Sequence, residues 1–357
     1  MGLFDVFKKK SPEHKGFHSL TVSRIDRLTD EAVAVVFDVP AELKANYSFK
    51  PGQYLDIIAT IDGKEERRSY SICSGPNEAI SIGVKAVKGG KVSNWINSVL
   101  REGDHVMVGE PKGQFGIEAQ EKNIVAIAAG SGITPILSIA KSLVHSNGSM
   151  RLFYGNSSLT SALFLDQIDA LPGIKTHHFL SQEEKEGTTN SRITNESFTA
   201  AIKADLDLLK ADAFLLCGPE EMIMNVASVL EFFGVNKSKI RFELFTTPVL
   251  MKTATNELEK SAFSGTSQVT ILLDSEVTKL SIPTKGATIL EVAEKAGLDV
   301  PFSCRGGVCC SCRAKIVKGS VHMDTNFTLT DKDIADGYIL ACQAHPTSEE
   351  LTLTFDE

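Results

Sequence analysis

One stretch near the C-terminal end, Pro301-Phe302-Ser303-Cys304-Arg305-Gly306-Gly307-Val308-Cys309-Cys310-Ser311-Cys312, restricts the fold more than any other. Its cysteines run C-x4-C-x2-C, and Cys342 follows downstream. This is the plant-type spacing of a [2Fe–2S] site, where four thiolates converge on two irons. A loop supplies three of them only if its backbone wraps tightly. Gly306 and Gly307 permit that wrap through positive φ, with no Cβ in the turn. The fourth must come from elsewhere, and Cys342 is the one cysteine after the loop. The expected ligands are Cys304, Cys309, Cys312 and Cys342. Cys310 is expected to stand outside, because adjacent side chains do not easily face one centre together. Three rivals compete. Cys309-x2-Cys312 with Cys342-x2-His345 suits structural zinc. A redox C-x-x-C pair needs a βαβ context that the loop lacks. A disulfide framework needs an oxidising compartment.

A chain of 357 residues suggests two or three domains, and 42% hydrophobic content allows ordinary cores. The net charge of −8 argues against a nucleic-acid partner. From Ser267 onward eight basic residues face thirteen acidic ones. That end can dock on a basic partner patch, or the charge serves solubility. No apolar run approaches a membrane span. The first ten residues, with Phe4, Phe7 and Lys8 to Lys10, lack the apolar core of a signal peptide and read as a tail. A cytoplasmic, reducing location is expected.

Residues 15–118 read as short strands at 17–26, 32–39, 54–59, 69–73, 80–87 and 105–110, with one helix near 92–100. Turns such as Pro51-Gly52, Ile61-Asp62-Gly63 and Gly75-Pro76 separate them, which predicts an antiparallel barrel. In Arg68-Ser69-Tyr70-Ser71, a planar guanidinium suits a diphosphate. The ring two residues on shares its face and suits a flat heterocycle. Gly89-Gly90-Lys91-Val92-Ser93 opens the helix, where N–H groups and the Ser93 hydroxyl suit a second diphosphate contact. Each also fits an ordinary strand or a capped loop. R-x-Y-[ST] followed by a Gly-rich stretch ending in Ser resembles the FAD-binding barrel of the ferredoxin–NADP reductase superfamily. That resemblance implies Arg68 on the FAD diphosphate, Tyr70 against the isoalloxazine and Ser71 near its reactive edge. It also implies that backbone at Val84, Lys85, Gly90, Lys91, Val92 and Ser93 holds the rest of the flavin.

Residues 119–247 alternate strand and helix. The apolar run 124–129 suits a strand buried on both faces, and Ile136, Ile139, Ala140, Leu143 and Val144 mark a helix after it. Strands are expected at 151–154, 176–181, 213–217 and 240–245, with a helical stripe Met222, Val226, Val229, Leu230 and Phe233. This predicts a parallel sheet with crossover helices. Gly130-Ser131-Gly132-Ile133-Thr134-Pro135 sits between strand and helix, where a dinucleotide diphosphate meets backbone N–H groups. Proline takes the place of the third glycine and suits a first helical turn. Cys217-Gly218-Pro219 forms a second such turn; its thiol also fits a buried structural role. Together the turns resemble the nicotinamide-nucleotide domain of the same superfamily, which implies Thr134 and Cys217 beside the nicotinamide and Glu243 near its junction with the flavin. The second strand ends in Tyr154-Gly155-Asn156-Ser157-Ser158, with no acid for a ribose 2′-OH. Ser157 stands where relatives often carry arginine. Ser181, Lys185 and Arg192 suit a 2′-phosphate, so NADPH is favoured over NADH.

Residues 248–266 read as a linker, with a helical turn near 256–260. From 267 to 357 a hairpin (268–273, 278–282) precedes a helix capped by Thr288 and Glu291 and stopped by Gly297. Strands follow the cysteine loop at 314–318 and 351–355. This segment resembles a plant-type ferredoxin domain with a β-grasp-like fold. The whole is expected to be multidomain, β + α/β + α+β: FAD-binding barrel (15–118), NAD(P)-binding domain (119–247), linker, ferredoxin domain (267–357). That order resembles the reductase components of multicomponent oxygenases, in particular the reductase subunits of phenylacetyl-CoA epoxidases. Arg68–Cys73, Ala128–Pro135, Leu216–Pro219, Cys304–Cys312 and Gly337–Ala344 carry the likeness. It implies electron flow from NADPH (or NADH) through FAD and the cluster to a terminal oxygenase. A reductase serving another oxygenase or a desaturase has the same build, and a redox-sensing carrier without turnover is a reading of another class.

Overall fold

The computed structural model describes residues 14–245, 263–302, 305–308 and 310–356. The N-terminal phenylalanines, the expected turn at 256–260, Cys304 and Cys309 lie outside them. The first sheet contains β1 (Phe17–Thr29), β2 (Ala32–Asp38), β3 (Tyr54–Ile61), β4 (Lys64–Ser71), β5 (Ser81–Lys85) and β6 (His105–Gly109). Its antiparallel order is β4-β3-β6-β1-β2-β5, and an Ile72–Ile82 bridge links the two edge strands into a barrel. Helix α1 (Lys91–Ser98) lies against it. β4 begins at Lys64, earlier than the expected strand at 69–73. Asp62 and Gly63, with φ of 51° and 72°, make a two-residue turn that pairs the charged run after it with β3. A strand with little apolar alternation leaves no hydrophobic signal to read.

The second sheet is wholly parallel: β7 (Asn123–Ala129), β8 (Ser149–Asn156), β9 (Ile174–Leu180), β10 (Ala213–Cys217) and β11 (Ile240–Glu243), in the order β11-β10-β7-β8-β9. Helices α2 (Ile133–His145), α3 (Leu165–Asp169), α4 (Asn195–Ala204) and α5 (Glu220–Phe232) accompany it. The core on one face of this sheet runs on into the barrel through Ala32, Ala34, Cys73 and Phe115, so the two units share apolar packing.

The third sheet has β12 (Thr266–Leu273), β13 (Glu276–Pro283), β14 (Arg313–Lys318), β16 (Tyr338–Leu340) and β18 (Glu350–Thr354), ordered β13-β12-β18-β14-β16. Only the β12–β18 pair is parallel. β15 (Val321–Met323) pairs with β17 (Ala344–Pro346), and α6 (Ile289–Lys295) and α7 (Asp331–Ala335) complete the unit. The Thr288–Glu291 capping box forms as the sequence predicts. Among the described residues no helix is long and apolar enough to cross a membrane.

Candidate active site

At the C-terminal edge of the parallel sheet, two strand-to-helix turns meet. A 3-10 turn, Gly130–Gly132, leads from β7 into α2, and Gly218-Pro219 leads from β10 into α5. A Cβ on Gly132 would stand 2.1 Å from the Cys217 carbonyl oxygen, so only glycine allows this approach. The turns border a cavity of about 660 Å³. Asn156 and Ser157 from the end of β8, Ser181, Arg192 and the barrel's Lys85 line it too. Lys185 is exposed and outside the lining. The amide nitrogen of Asn156 is buried, with no hydrogen-bond partner among the described residues. The first turn of α2 holds no acid, whereas α5 begins with Glu220 and Glu221. An anionic diphosphate is therefore better accommodated at the Gly130 turn.

Where barrel and parallel sheet touch, Ser71 Oγ donates to Glu243 Oε2 at 3.2 Å, and both side chains are buried. Cys217 lies opposite Glu243 in the β10–β11 register. Burial, then the Glu243 charge, pushes its thiol well above the usual range, so it stays protonated. Thr134 Oγ1 donates to the Ser131 carbonyl at 2.9 Å. A Cβ on Gly83 would come within 2.6 Å of the Thr134 methyl, so a bare glycine in β5 lets the two units close. Ser71, Glu243 and Cys217 are thus neighbours at the contact between barrel and parallel sheet, and Thr134 lies against the barrel at Gly83.

On the barrel, Arg68 is exposed, with Nη1 donating to the Arg67 carbonyl at 2.6 Å and Nη2 3.6 Å from Glu66. Lys91 pairs with the same carboxylate. Two cations converging on one carboxylate form a donor set that suits a diphosphate. Half-buried Tyr70 packs on the barrel core, and burial raises its phenol. Gly90 precedes α1, and a Cβ there would meet Ser93 Oγ at 2.5 Å. Ser93 Oγ accepts from Val87 N at 3.3 Å, so its oxygen already braces the loop expected to hold phosphate. Val84 is buried, with its carbonyl accepting from Asn97 Nδ2 at 3.2 Å.

In the cysteine loop, Arg305, Gly307 and Cys310 take positive φ. A Cβ on Gly307 would press to 3.0 Å from the Thr325 carbonyl. Cys312 and Cys342 are buried in one core, joined by Ala341 N donating to the Cys312 carbonyl at 3.0 Å. Cys310 is half-buried. Gln343 Nε2 donates to the Arg305 carbonyl at 2.8 Å, and Thr325 Oγ1 donates to Gln343 Oε1 at 2.7 Å. Among the described residues no group of three metal-ligating side chains assembles. His345, the nitrogen ligand of the zinc alternative, instead has Nε2 3.2 Å from Asp324 Oδ2. Tight wrapping, two buried thiols and a braced carbonyl suit an iron–sulfur cluster. The loop also reaches both other units. Ser311 Oγ hydrogen-bonds Tyr54 OH, and Val308 packs into the parallel-sheet core that includes Leu244. Tyr54 is the β3 partner of Ser71.

Family models match in the same order. The oxidoreductase FAD-binding domain matches residues 19–117, the oxidoreductase NAD-binding domain 126–228 and the 2Fe-2S iron-sulfur cluster binding domain 272–347. The chain is 34% identical to a component of the 1,2-phenylacetyl-CoA epoxidase of Escherichia coli, over 95% of this chain and 98% of that one. The chain belongs to the oxygenase reductases of the ferredoxin–NADP reductase superfamily. It is also 31% identical to the ferredoxin reductase component of 3-ketosteroid-9-alpha-monooxygenase from Rhodococcus rhodochrous, over 94% and 96% of the two chains. Phthalate dioxygenase reductase shares the fold, with a TM-score of 0.59 and 24% identity over 97% of this chain and 100% of that one.

This reductase is an NAD(P)H-dependent oxidoreductase with FAD-binding, NAD-binding and [2Fe–2S] modules. Sequence reasoning missed two residues that brace the candidate site. Gln343 follows Cys342 directly, and that adjacency was the available signal. Glu66 lies in a charged run whose strand character is hidden, and nothing in the sequence singles it out.

Proposed function

We propose that this reductase passes electrons from NADPH through FAD and a [2Fe–2S] cluster to a terminal oxygenase, most specifically a phenylacetyl-CoA epoxidase. One observation carries the electron path: the Ser71–Glu243 contact at 3.2 Å and the Tyr54–Ser311 contact meet at one place on the β3–β4 hairpin. Bound FAD supplies acceptance of a nicotinamide hydride, and a bound cluster supplies delivery of single electrons. Arg68 and Lys91 hold the flavin diphosphate, exchanging their Glu66 contact for it. Tyr70 packs on the ring, with backbone at Val84, Lys85, Gly90, Val92 and Ser93 around the remainder. Gly130, Gly132, Gly218 and Pro219 frame the nicotinamide nucleotide. Ser71, Thr134, Cys217 and Glu243 keep water out of the junction, and the Ser71 hydroxyl orients its proton there. Ser157, Ser181 and Arg192 line the cavity and favour NADPH; exposed Lys185 joins them only by reaching inward. Cys304, Cys309, Cys312 and Cys342 hold the cluster. The units span 15–118, 119–247 and 267–357, joined by 248–266.

The epoxidase assignment draws on the 34% likeness to the Escherichia coli protein. The 31% likeness to the ketosteroid component favours a second reading, a reductase of the same build serving another oxygenase. A visible spectrum of the purified protein should show flavin and cluster bands, and NADPH should be oxidised with ferricyanide faster than NADH. Turnover of phenylacetyl-CoA with the purified epoxidase components separates the two partners. A colourless protein that oxidises neither nucleotide would defeat the electron-transfer reading.

A further inference from the structure

Arg67 and Arg68 are neighbours in sequence, yet strand alternation turns them to opposite faces of β4. Arg68 shares its face with Tyr70. Arg67 shares the other with Ser69, opposite Asp56 in the β3–β4 register. Asp56 is 1% exposed, and it accepts from Arg67 Nη2 at 2.7 Å and from Ser69 Oγ. This anchors one end of the guanidinium. Its Cζ lies 4.8 Å from the ring centre of Phe17 in the barrel and 5.1 Å from that of Phe302 in the ferredoxin unit. Nη1 stands 3.7 Å from Asp299 Oδ1, just after α6. His14 Nδ1 lies 3.7 Å from the other oxygen of Asp299. Two further contacts join the same units on this side, Lys15 with Asp274 and Tyr54 with Ser311.

We propose that Arg67 is a positioning residue for electron transfer: anchored on Asp56, it seats the ferredoxin unit on the barrel through Asp299 and Phe302, and so keeps the cysteine loop beside β3. Both rings lie within cation–π distance of the one guanidinium, so the same cation attracts an aromatic side chain from each unit. Asp299 is 44% exposed and sits at ion-pair rather than hydrogen-bond distance. It therefore selects the docked pose without burying a new charge. Only the kinetic part of this proposal rests on the electron-transfer reading above.

Substituting Arg67 would strand a buried carboxylate and endanger the barrel. Asp299→Lys leaves the Arg67–Asp56 pair intact and turns attraction into repulsion. In the complete protein with its cofactors, hydrogen exchange of residues 14–18 and 297–302 should become about fivefold faster in Asp299→Lys and return towards normal in Asp299→Glu. The stopped-flow rate of cluster reduction should fall by a similar factor, while NADPH-to-ferricyanide turnover stays unchanged. Unaltered exchange in Asp299→Lys overturns the proposal. Faster exchange with an unaltered cluster-reduction rate also overturns it, because docking would then not position the cluster. If the unsubstituted protein has no ferricyanide turnover, the functional reading fails, and the exchange comparison still decides the docking role.

Discussion

Gly132 has no room for even one more carbon. Its hypothetical Cβ lies 2.1 Å from the Cys217 carbonyl oxygen, a backbone atom that cannot swing aside. Gly132→Ala must therefore push the β7–α2 and β10–α5 turns apart, costing about 2 kcal/mol as an overpacked contact does. A lowered thermal midpoint together with a raised KM for NADPH is the expected result; a raised KM alone would mean that the turns do not support the fold. Cys73 makes a second prediction at this scale. Burial pushes its thiol up to about 11, partly offset by its hydrogen bond with Ser81. The folded chain thus keeps a proton that the unfolded chain loses from about pH 8.5. The associated stability is whole below that pH and disappears as pH rises towards 11, a loss of roughly 2 to 3 kcal/mol. Urea midpoints at about pH 8 and about pH 10.5 should fall further apart in the unsubstituted protein than in Cys73→Ala.

Among the elements, α6 shows how a local signal reaches the site. Thr288 Oγ1 accepts from Glu291 N, and Glu291 returns the bond to Thr288 N. The helix carries Ile289, Leu290 and Ala293 into the ferredoxin core and ends at Gly297, φ 87°, just before Asp299 and the cysteine loop. Thr288→Ala should cost about 1 kcal/mol and lower the temperature at which the cluster absorbance bleaches, with the flavin melt unaffected. That box was legible because it follows the Thr-x-x-Glu pattern. The box at α4 was not, since Thr194 is answered by Ser197 in place of an acid or amide. The first part of β4, before Ser69, escaped notice for a related reason: its pairing is imposed by the Asp62-Gly63 turn and not by apolar alternation. The parallel strands β7 and β10 read clearly, being continuous apolar runs that end in glycine turns. Short-range rules reached these elements. They could not reach Gln343 bracing Arg305, or Arg67 meeting Asp299, because those partners are brought together only by the tertiary fold.

At the scale of the molecule, the three units each contribute one side of a common junction. The barrel brings Ser71 and Tyr54, the parallel sheet brings Glu243 and Leu244, and the ferredoxin unit brings Ser311 and Val308. Such an arrangement separates chemistry by location, so a lesion at one station should spare the one before it. Cys312 tests this, because it is buried in the ferredoxin core and takes no part in the Ser71–Glu243 contact. If Cys312 is one of the four proposed cluster thiolates, Cys312→Ser should abolish the cluster absorbance and with it cluster-dependent cytochrome c reduction. NADPH-to-ferricyanide turnover should remain, since Arg68, Tyr70 and the Gly130 turn belong to other units. Cys310→Ala should keep the cluster spectrum, its half-buried side chain being flanked by the wrap that Arg305 and Gly307 begin. Loss of both activities in a folded, flavin-loaded Cys312→Ser protein would mean that the cluster unit also shapes the hydride site. The Val308 contact with the parallel-sheet core would then be the route by which it does so.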